Sequence, residues 1–375
     1  MSGRKNSEAL WYFLDAVKDI IIKIIIITLI VVCFAIIMNG IFIIADILNP
    51  YKGKYSRPAE VEKGEGHFMN FYIEGDNPSL DTVVILSRYG EPSPIVRYKA
   101  LLDSMQGDFR VIILENLGYG YSNSTEKERT AEQIADEVNM ALTNIDVPKP
   151  YILVSNEISN LYAMKIIEKY PETIKAYVSI DGIYPSSISD EFTKNEIAKK
   201  ISSSQVTRYI STLGVERILA RLKPELFGID KMLNMTSSYS DEEIELYRNR
   251  LGNNFLNTLK IKEIKNLENN MMDLATYQYP EDLSVLEIIS SSKVKQYSTS
   301  NGLKKGYQDI CEDPISNSEI QKVVTIEGDD YLELSDPSGV ASEILDFMKD
   351  FHERESLETQ IDENEEIQEM EEVEE

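Results

Sequence analysis

The chain has 375 residues, of which 64 are acidic and 38 are basic, giving a formal net charge of −26 at pH 7. This balance argues against nucleic-acid binding, which needs clustered lysine and arginine. Only two cysteines and two histidines are present: Cys33, Cys311, His67 and His352. Their scarcity excludes a disulfide scaffold and a cysteine-rich zinc site, and it leaves a histidine-dependent mechanism with few candidates. No metal and no cofactor are predicted.

The N-terminal part of the chain contains an apolar run, residues 24–45, without a single charged side chain. About 20 apolar residues suffice for a helix to cross the hydrocarbon core of a bilayer. The residues that follow form a poor signal-peptidase site, so the run predicts an uncleaved single-pass anchor after an N-terminal arm over residues 1–23. A buried core helix is the alternative. Basic residues flank the run equally, but the short arm favours an extracytoplasmic C-terminal domain.

The region after the apolar run divides into a linker and a domain. Residues 46–66 are polar, include two prolines and are predicted to be a linker. From residue 67 onward, short apolar runs alternate with amphipathic helical stretches, which indicates an α/β fold with a mostly parallel sheet. Strands are predicted at 68–73, 82–86, 110–114, 151–154, 176–180, 285–289 and 322–326. Residues 186–275 lack strand signals and predict a helical lid inserted between two strands.

Two local patterns concern helix ends. Thr130 is followed three residues later by Gln133, the spacing of a capping box, so a helix is predicted to begin there. At the C-terminus, residues 353–375 contain 12 acidic side chains and one basic one. Like charges at this density repel one another, so these residues predict a solvated, disordered or weakly helical acidic tail rather than a dedicated binding motif.

Several segments, taken in order, resemble the α/β-hydrolase superfamily. Residues 83–90 (VVILSRYG) resemble the strand and loop that carry its oxyanion hole, and residues 115–122 (ENLGYGYS) its Asp-x-x-Gly-x-Gly-x-Ser loop. Residues 150–154 (PYILV) resemble the strand before its nucleophile elbow, and residues 328–331 (GDDY) the end of its last strand. The match extends over residues 67–352. It implies a mostly parallel sheet flanked by helices, with a lid, as in membrane-anchored bacterial members.

The resemblance assigns positions to a Ser-His-acid triad, and this sequence departs from the family at each of them. The elbow, normally Gly-x-Ser-x-Gly, reads Ser-Asn-Glu-Ile-Ser, so Glu157 stands at the nucleophile position. Asp330 stands at the histidine position. The usual acid is missing, and Asp181 is a possible substitute position with no histidine to orient. His67 and His352 are predicted to lie away from the site.

The oxyanion loop is also changed, because the usual His-Gly is replaced by Ser87 and Arg88. Two interpretations of Glu157 stay open. Arg88 could neutralise both Glu157 and Asp330, which is preferred because it requires no bound ion. Alternatively, the two carboxylates face each other, which raises one pKa or lets them share a cation.

These features predict a membrane-anchored, divergent α/β-hydrolase-fold protein that serves as an inactive binding or scaffold pseudoenzyme. The first alternative is an active hydrolase of esterase, lipase or epoxide type. It would use Glu157 or, in a shifted register, Ser155 or Ser159. The second alternative is a lipid-binding module. Besides the membrane, reached through residues 24–45, the expected partner is an unknown protein or a lipid ligand in the lid cleft.

Overall fold

The structure, a computed structural model, describes residues 2–48, 57–61, 66–75, 77, 79–105, 107–211, 213–254, 256–299 and 303–374. Its first element is a single helix, α1 (Ser2–Ile47), so the predicted arm and the predicted span form one continuous helix. Its segment Trp11–Ile44 is long and apolar enough to cross a membrane, and most of the apolar side chains there are exposed.

Eight strands form one sheet in the order β1-β2-β4-β3-β5-β6-β7-β8. They are β1 (Arg57–Glu60), β2 (Phe68–Glu74), β3 (Thr82–Leu86), β4 (Arg110–Glu115), β5 (Tyr151–Asn156), β6 (Ile174–Ile180), β7 (Ser284–Ser290) and β8 (Gln321–Ile326). β2 runs antiparallel to its neighbours β1 and β4, and the other pairs are parallel. All seven predicted strands are present, with ends within two residues of the prediction.

The additional strand, β1, corrects the prediction of a linker over residues 46–66. It pairs with β2 at the edge of the sheet. It is short and contains Pro58, which lacks a backbone donor and is tolerated in an edge strand, so the sequence carries no recognisable strand pattern there. The rest of the predicted linker, at 49–56 and 62–65, lies outside the described residues.

Alternating side chains of the strands feed two hydrophobic cores, one on each face of the sheet. On β3, Val83 and Ile85 belong to one core, and Val84 and Leu86 to the other. All four are fully buried. Successive strand residues point to opposite faces, so a run without polar residues requires cover on both sides. Helices supply that cover.

The described helices after α1 flank the sheet or form the lid. They are α2 (Pro94–Arg97), α3 (Lys99–Ser104), α4 (Ala131–Asn144), α5 (Ser159–Lys169), α6 (Glu191–Ser211), α7 (Val215–Leu222), α8 (Ile229–Asn234), α9 (Asp241–Asn254), α10 (Thr258–Lys265), α11 (Leu267–Asp273), α12 (Ser291–Gln296), α13 (Tyr307–Glu312), α14 (Leu332–Ser335) and α15 (Pro337–Glu374). The Thr130 hydroxyl caps α4 by accepting from the Gln133 N–H at 3.1 Å. Helices α6 to α11 lie between β6 and β7, where the lid was predicted.

The loop over residues 115–122 depends on close packing at Gly120. Gly120 has φ +44°, and a Cβ there would lie 2.0 Å from the Glu115 carboxylate, which accepts from the Tyr121 N–H at 2.6 Å. The loop over residues 115–122 therefore requires glycine at this place.

At the C-terminus, α15 continues to Glu374, so the acidic tail is helical where disorder or weak helicity was expected.

Candidate functional site

Glu157 occupies the sharp turn between β5 and α5, at the position where the resemblance places the nucleophile. Its φ of +57° lies in the left-handed region, which costs a non-glycine residue about 1–2 kcal/mol. Hydrogen bonds hold the turn on both sides. The Glu157 N–H donates to the Ile180 carbonyl at 3.1 Å, and the Ile183 N–H donates to the Glu157 carbonyl at 3.2 Å. The strained elbow is thus retained without its glycines.

The Glu157 carboxylate lies between two cations. Lys200 of the lid helix α6 donates to Oε1 at 2.7 Å, and Arg88 Nη2 lies 3.5 Å from Oε2. Burial alone would raise the pKa of this carboxyl, but the charges of Lys200, Arg88 and Lys293 together outweigh burial and lower the pKa to about 2. Glu157 is therefore ionised at neutral pH and is held by ion pairs.

Arg88 stands at the position where the resemblance to the family places a glycine. Its guanidinium lies 3.6 Å from Glu333, stacks over the Tyr331 ring at 4.5 Å, and donates to the backbone carbonyl of Asp330 at 3.1 Å. Its own N–H donates to the Tyr98 hydroxyl at 3.1 Å. Although burial opposes a charge here, the carboxylates of Glu157 and Glu333 raise the pKa of Arg88, so it stays a cation.

The ion pairs continue into the interior. Arg97 Nε lies 3.4 Å from Glu333 and 2.8 Å from Glu91. Glu333 is only 1% exposed and also accepts from Asn156 at 3.1 Å. Six alternating charges therefore run from the interior to the lid, and we call them the charge ladder: Glu91, Arg97, Glu333, Arg88, Glu157 and Lys200.

Asp330 and Ser87 contribute little to this arrangement. The Asp330 side chain is exposed and accepts from Ser292 at 2.8 Å, so Arg88 meets the backbone of Asp330 rather than its carboxylate. Of the two interpretations, the contacts favour Arg88 as the counter-ion of Glu157 and not a pair of facing carboxylates. The Ser87 hydroxyl is buried and has no hydrogen-bond partner among the described residues.

Asp181, the substitute acid position, is buried at the end of β6 with φ +49°. Its Oδ1 accepts from the Ser290 N–H at 2.7 Å, and its backbone carbonyl accepts from Lys293 at 2.5 Å. Burial raises the pKa of its carboxyl, and Lys293 opposes that shift. Asp181 is tied to the neighbouring strand end, and the contacts described for it involve no histidine.

The remaining candidates are engaged elsewhere. Ser155 and Ser159 are fully buried. The Ser155 hydroxyl pairs with that of Tyr177 at 2.6 Å, and the Ser159 hydroxyl donates to backbone carbonyls. His352 pairs with Asp81 at 2.8 Å. Asp81 immediately precedes β3, whereas Glu157 follows the carboxyl end of the parallel strand β5, so the two lie at opposite edges of the sheet. His67 precedes β2, three strand positions from β5, or about 14 Å across the sheet.

Two cavities flank the charge ladder. The larger, of about 430 Å³, has apolar walls from helix and loop residues, among them Ile183, Ile197, Leu267 and Leu303. The smaller, of about 270 Å³, reaches Phe227 and Tyr247. Arg88, Glu157, Lys200 and Ser203 border both cavities and form the partition between them. Among the described residues, no group of three or more His, Cys, Asp or Glu side chains could hold a metal ion.

The sequence-based interpretation paired Arg88 with Glu157 but missed their other partners, Lys200 and Glu333. Lys200 comes from a charged helix whose pattern does not distinguish a site residue from a solvated one. Glu333 carried a signal that could have been used, because it lies between Leu332 and Leu334, three residues after the predicted histidine position, Asp330. A carboxylate between two buried leucines needs a cation nearby.

Comparisons with known proteins bear on the fold. No protein-family model matches the chain. The uncharacterised protein YbdG of Bacillus subtilis strain 168 is 25% identical over 236 residues, which cover 62% of this chain and 69% of that protein.

Solved structures match over most of their length. Cfl2 from Burkholderia cenocepacia aligns with a TM-score of 0.56 at 14% identity, covering 78% of this chain and 95% of that chain. An α/β-hydrolase enzyme, MGS-M2, from a Medee basin deep-sea metagenome library aligns with a TM-score of 0.52 at 14% identity, covering 77% and 97%. A haloalkane dehalogenase variant from Bradyrhizobium elkanii aligns with a TM-score of 0.51 at 15% identity, covering 80% and 98%. Together with the mostly parallel eight-stranded sheet flanked by helices, these matches show that the chain has the α/β-hydrolase fold.

Proposed function

We propose that the protein is a membrane-anchored binding protein that uses the α/β-hydrolase fold without hydrolysis. The observation that carries this proposal is the pair of cations on Glu157. A carboxylate held by Lys200 at 2.7 Å and by Arg88 at 3.5 Å is stabilised as an anion and is a poor nucleophile. An ester formed on it would also need an activated water, and both histidines lie away from the elbow.

The binding function rests on the larger cavity. Its volume of about 430 Å³ lies in the range of small-molecule sites, and its walls combine aliphatic side chains with Tyr297 and Tyr307. Charged groups, including Lys200 and Glu157, also line the cavity. Such a cavity suits a ligand with an apolar portion, such as a lipid acyl chain, and a polar end. The alternative binding function is that of a scaffold that holds a protein partner.

The binding function is tested by mass spectrometry of the full-length protein released from its native membrane. A lipid or other apolar ligand is expected to copurify with the wild type. Ile197→Trp fills the cavity and is expected to abolish the adduct, whereas Met140→Trp, at an exposed position on α4, is expected to keep it. An adduct that survives Ile197→Trp, or no adduct in the wild type, contradicts ligand binding in this cavity.

A second candidate, a carboxylate-type hydrolase, is favoured by one observation, the strained φ of +57° at Glu157. Strain of this kind often marks functional sites. Turnover of p-nitrophenyl esters, an epoxide and a haloalkane by wild type and Glu157→Gln separates the two functions. We expect equal background rates. Activity that the substitution abolishes would establish the hydrolase, and labelling of a serine by a fluorophosphonate would establish a serine-type enzyme.

The anchor is proposed to cross the membrane once through residues 24–45, with the C-terminal domain outside the cytoplasm. The short N-terminal arm supports this orientation. Protease added to intact cells is expected to degrade the domain. Protection in intact cells, with degradation only after lysis, would reverse the orientation.

A further inference from the structure

One part of the lid exposes apolar side chains in an unusually dense group. Val206 and Tyr209 lie near the end of α6 and are 59% and 76% exposed, and Ile218 and Leu222 of α7 are 58% and 71% exposed. The spacings of three and four residues place each pair on one helix face. A single exposed apolar residue is ordinary, but four within 17 residues of chain are a dense group, and we call these four side chains the lid surface.

The lid surface adjoins the N-terminal helix. Gly214, between α6 and α7, packs so closely against Asn39 of α1 that a Cβ would lie 3.0 Å from Asn39 Oδ1. Arg217 donates to the side-chain oxygen of Asn39 and, at 3.4 Å, to its backbone carbonyl. Its guanidinium lies 5.1 Å from the centre of the Phe42 ring. Asn39 is 7% exposed, so the contact is closed to solvent.

The position of this contact along α1 determines how deep the lid lies relative to the bilayer. Asn39 precedes the end of the apolar run at Ala45 by six residues, which is about 9 Å along a helix. Before it, side chains such as Ile36 and Ile37, 50% and 61% exposed, are free of protein cover. The lid thus contacts the span about 9 Å inside its domain-facing end, a depth that the apolar face of a helix lying in the membrane interface reaches.

The charge of residues 206–223 also favours contact with a membrane. Residues 206–223 contain four basic side chains and one acidic one, although the whole chain carries a net charge of −26. Arg221 and Lys223 are about half and two-thirds exposed, and each forms an exposed ion pair, Arg221 with Glu245 and Lys223 with Glu225. An amphipathic helix with exposed apolar residues and a basic excess is typical of elements that lie in the interface of a membrane with anionic lipid.

We propose that the lid surface docks onto the bilayer that α1 spans, with Ile218 and Leu222 at the boundary between headgroups and acyl chains. The occupant of this surface is the membrane because the lid is continuous with the span through Asn39 and Arg217. α6 also lines the larger cavity with Ile197 and Lys200, so docking holds that cavity wall at the membrane surface. The inference rests on the proposed anchor and is independent of whether the site hydrolyses.

The test uses full-length protein, one copy per nanodisc, in a mixture of phosphatidylethanolamine and phosphatidylglycerol. Single fluorophores are attached at Ile218→Cys or Leu222→Cys in a Cys33→Ala background, where Cys311 is buried and unreactive. Met140→Cys, exposed on α4, is the matched control, and the natural Cys33 in the span is the reference for lipid contact. Doxyl-labelled lipid is expected to quench the probes at 218 and 222 nearly as strongly as that at Cys33, and iodide to quench only that at 140.

Three results would overturn the proposal. Iodide quenching at 218 and 222 equal to that at 140, with Cys33 still quenched by lipid, would leave the anchor valid and refute docking. Protection of 218 and 222 from both quenchers would mean that protein covers the lid surface. If lipid fails to quench the probe at Cys33, the anchor itself is wrong. As a second variant, Ile218→Glu with Leu222→Glu is expected to transfer a probe at Tyr209→Cys from lipid to iodide quenching, with near-UV circular dichroism unchanged.

Discussion

Glu157→Gln keeps the shape of the side chain and removes the charge that Lys200 and Arg88 hold. A pKa that falls from 4.5 to about 2 on folding corresponds to about 3 kcal/mol of stability at neutral pH. Part of this is recovered in the variant, because Lys200 is 33% exposed and regains hydration. We therefore expect Glu157→Gln to lower the free energy of unfolding by about 2 kcal/mol at pH 7.

The pH dependence gives this prediction a second readout. Because the folded-state pKa of Glu157 is lowered, its contribution is present above pH 4.5 and is lost as the pH falls towards 2. The variant has no carboxyl to titrate at this position. The difference in stability between wild type and variant is therefore expected to be full at pH 7 and to fall below half by about pH 3.

The measurement is urea unfolding of the full-length protein in detergent micelles at pH 7, 4 and 3, followed by the near-UV circular dichroism of its buried tyrosines. Glu132→Gln is the matched control, since Glu132 pairs with Lys169 at 3.1 Å but is 68% exposed, so its loss is expected to cost less than about 0.5 kcal/mol. A variant as stable as wild type at pH 7, or a difference that does not change with pH, would refute the role given to the two cations.

Three further changes test other parts of the structure. Glu333→Gln leaves Arg88 and Arg97 facing a neutral group and is expected to cost about 3–5 kcal/mol in urea unfolding; a loss below 1 kcal/mol would contradict a paired, buried Glu333. Removing residues 356–375 is expected to shift the melting temperature by less than about 2 °C, because so acidic a segment buries little apolar area, and a drop of several degrees would reveal docking of the tail. Deleting residues 1–50 is expected to leave a domain that is folded in circular dichroism, since the sheet begins at Arg57, and loss of the folded spectrum would place the boundary elsewhere.

The strands and the elbow could be predicted because their signals are local. A run such as Val83 to Leu86 is apolar at every position, and this pattern has few interpretations other than a strand covered on both faces. The strand before residue 155 and the helix after residue 159 likewise fixed the register that places Glu157 at the turn. β1 was not predicted because an edge strand of four residues with a proline has no strand pattern of its own and is defined only by its pairing with β2.

The site was only partly predictable because its charges meet across long distances in sequence. Arg88 could be proposed as a counter-ion, since both the oxyanion loop and the elbow end at the same edge of the sheet. Lys200 could not, because its contact with Glu157 depends on how the lid folds back over that edge. The same limit applies to Asp330, whose position was predicted but whose side chain turns to Ser292.

The charge ladder also has a consequence for molecular evolution. Any mutational route to a serine nucleophile must begin from a site where Glu157 has a cation on either side. Exchanging Glu157 for serine alone leaves Arg88 with one counter-ion and Lys200 with none at this place, so the first mutant is less stable than its parent. Substitutions at Arg88 and Lys200 would have to accompany it. The ladder therefore opposes stepwise replacement of Glu157 by a serine nucleophile, because the first intermediate has a lower free energy of unfolding than its parent.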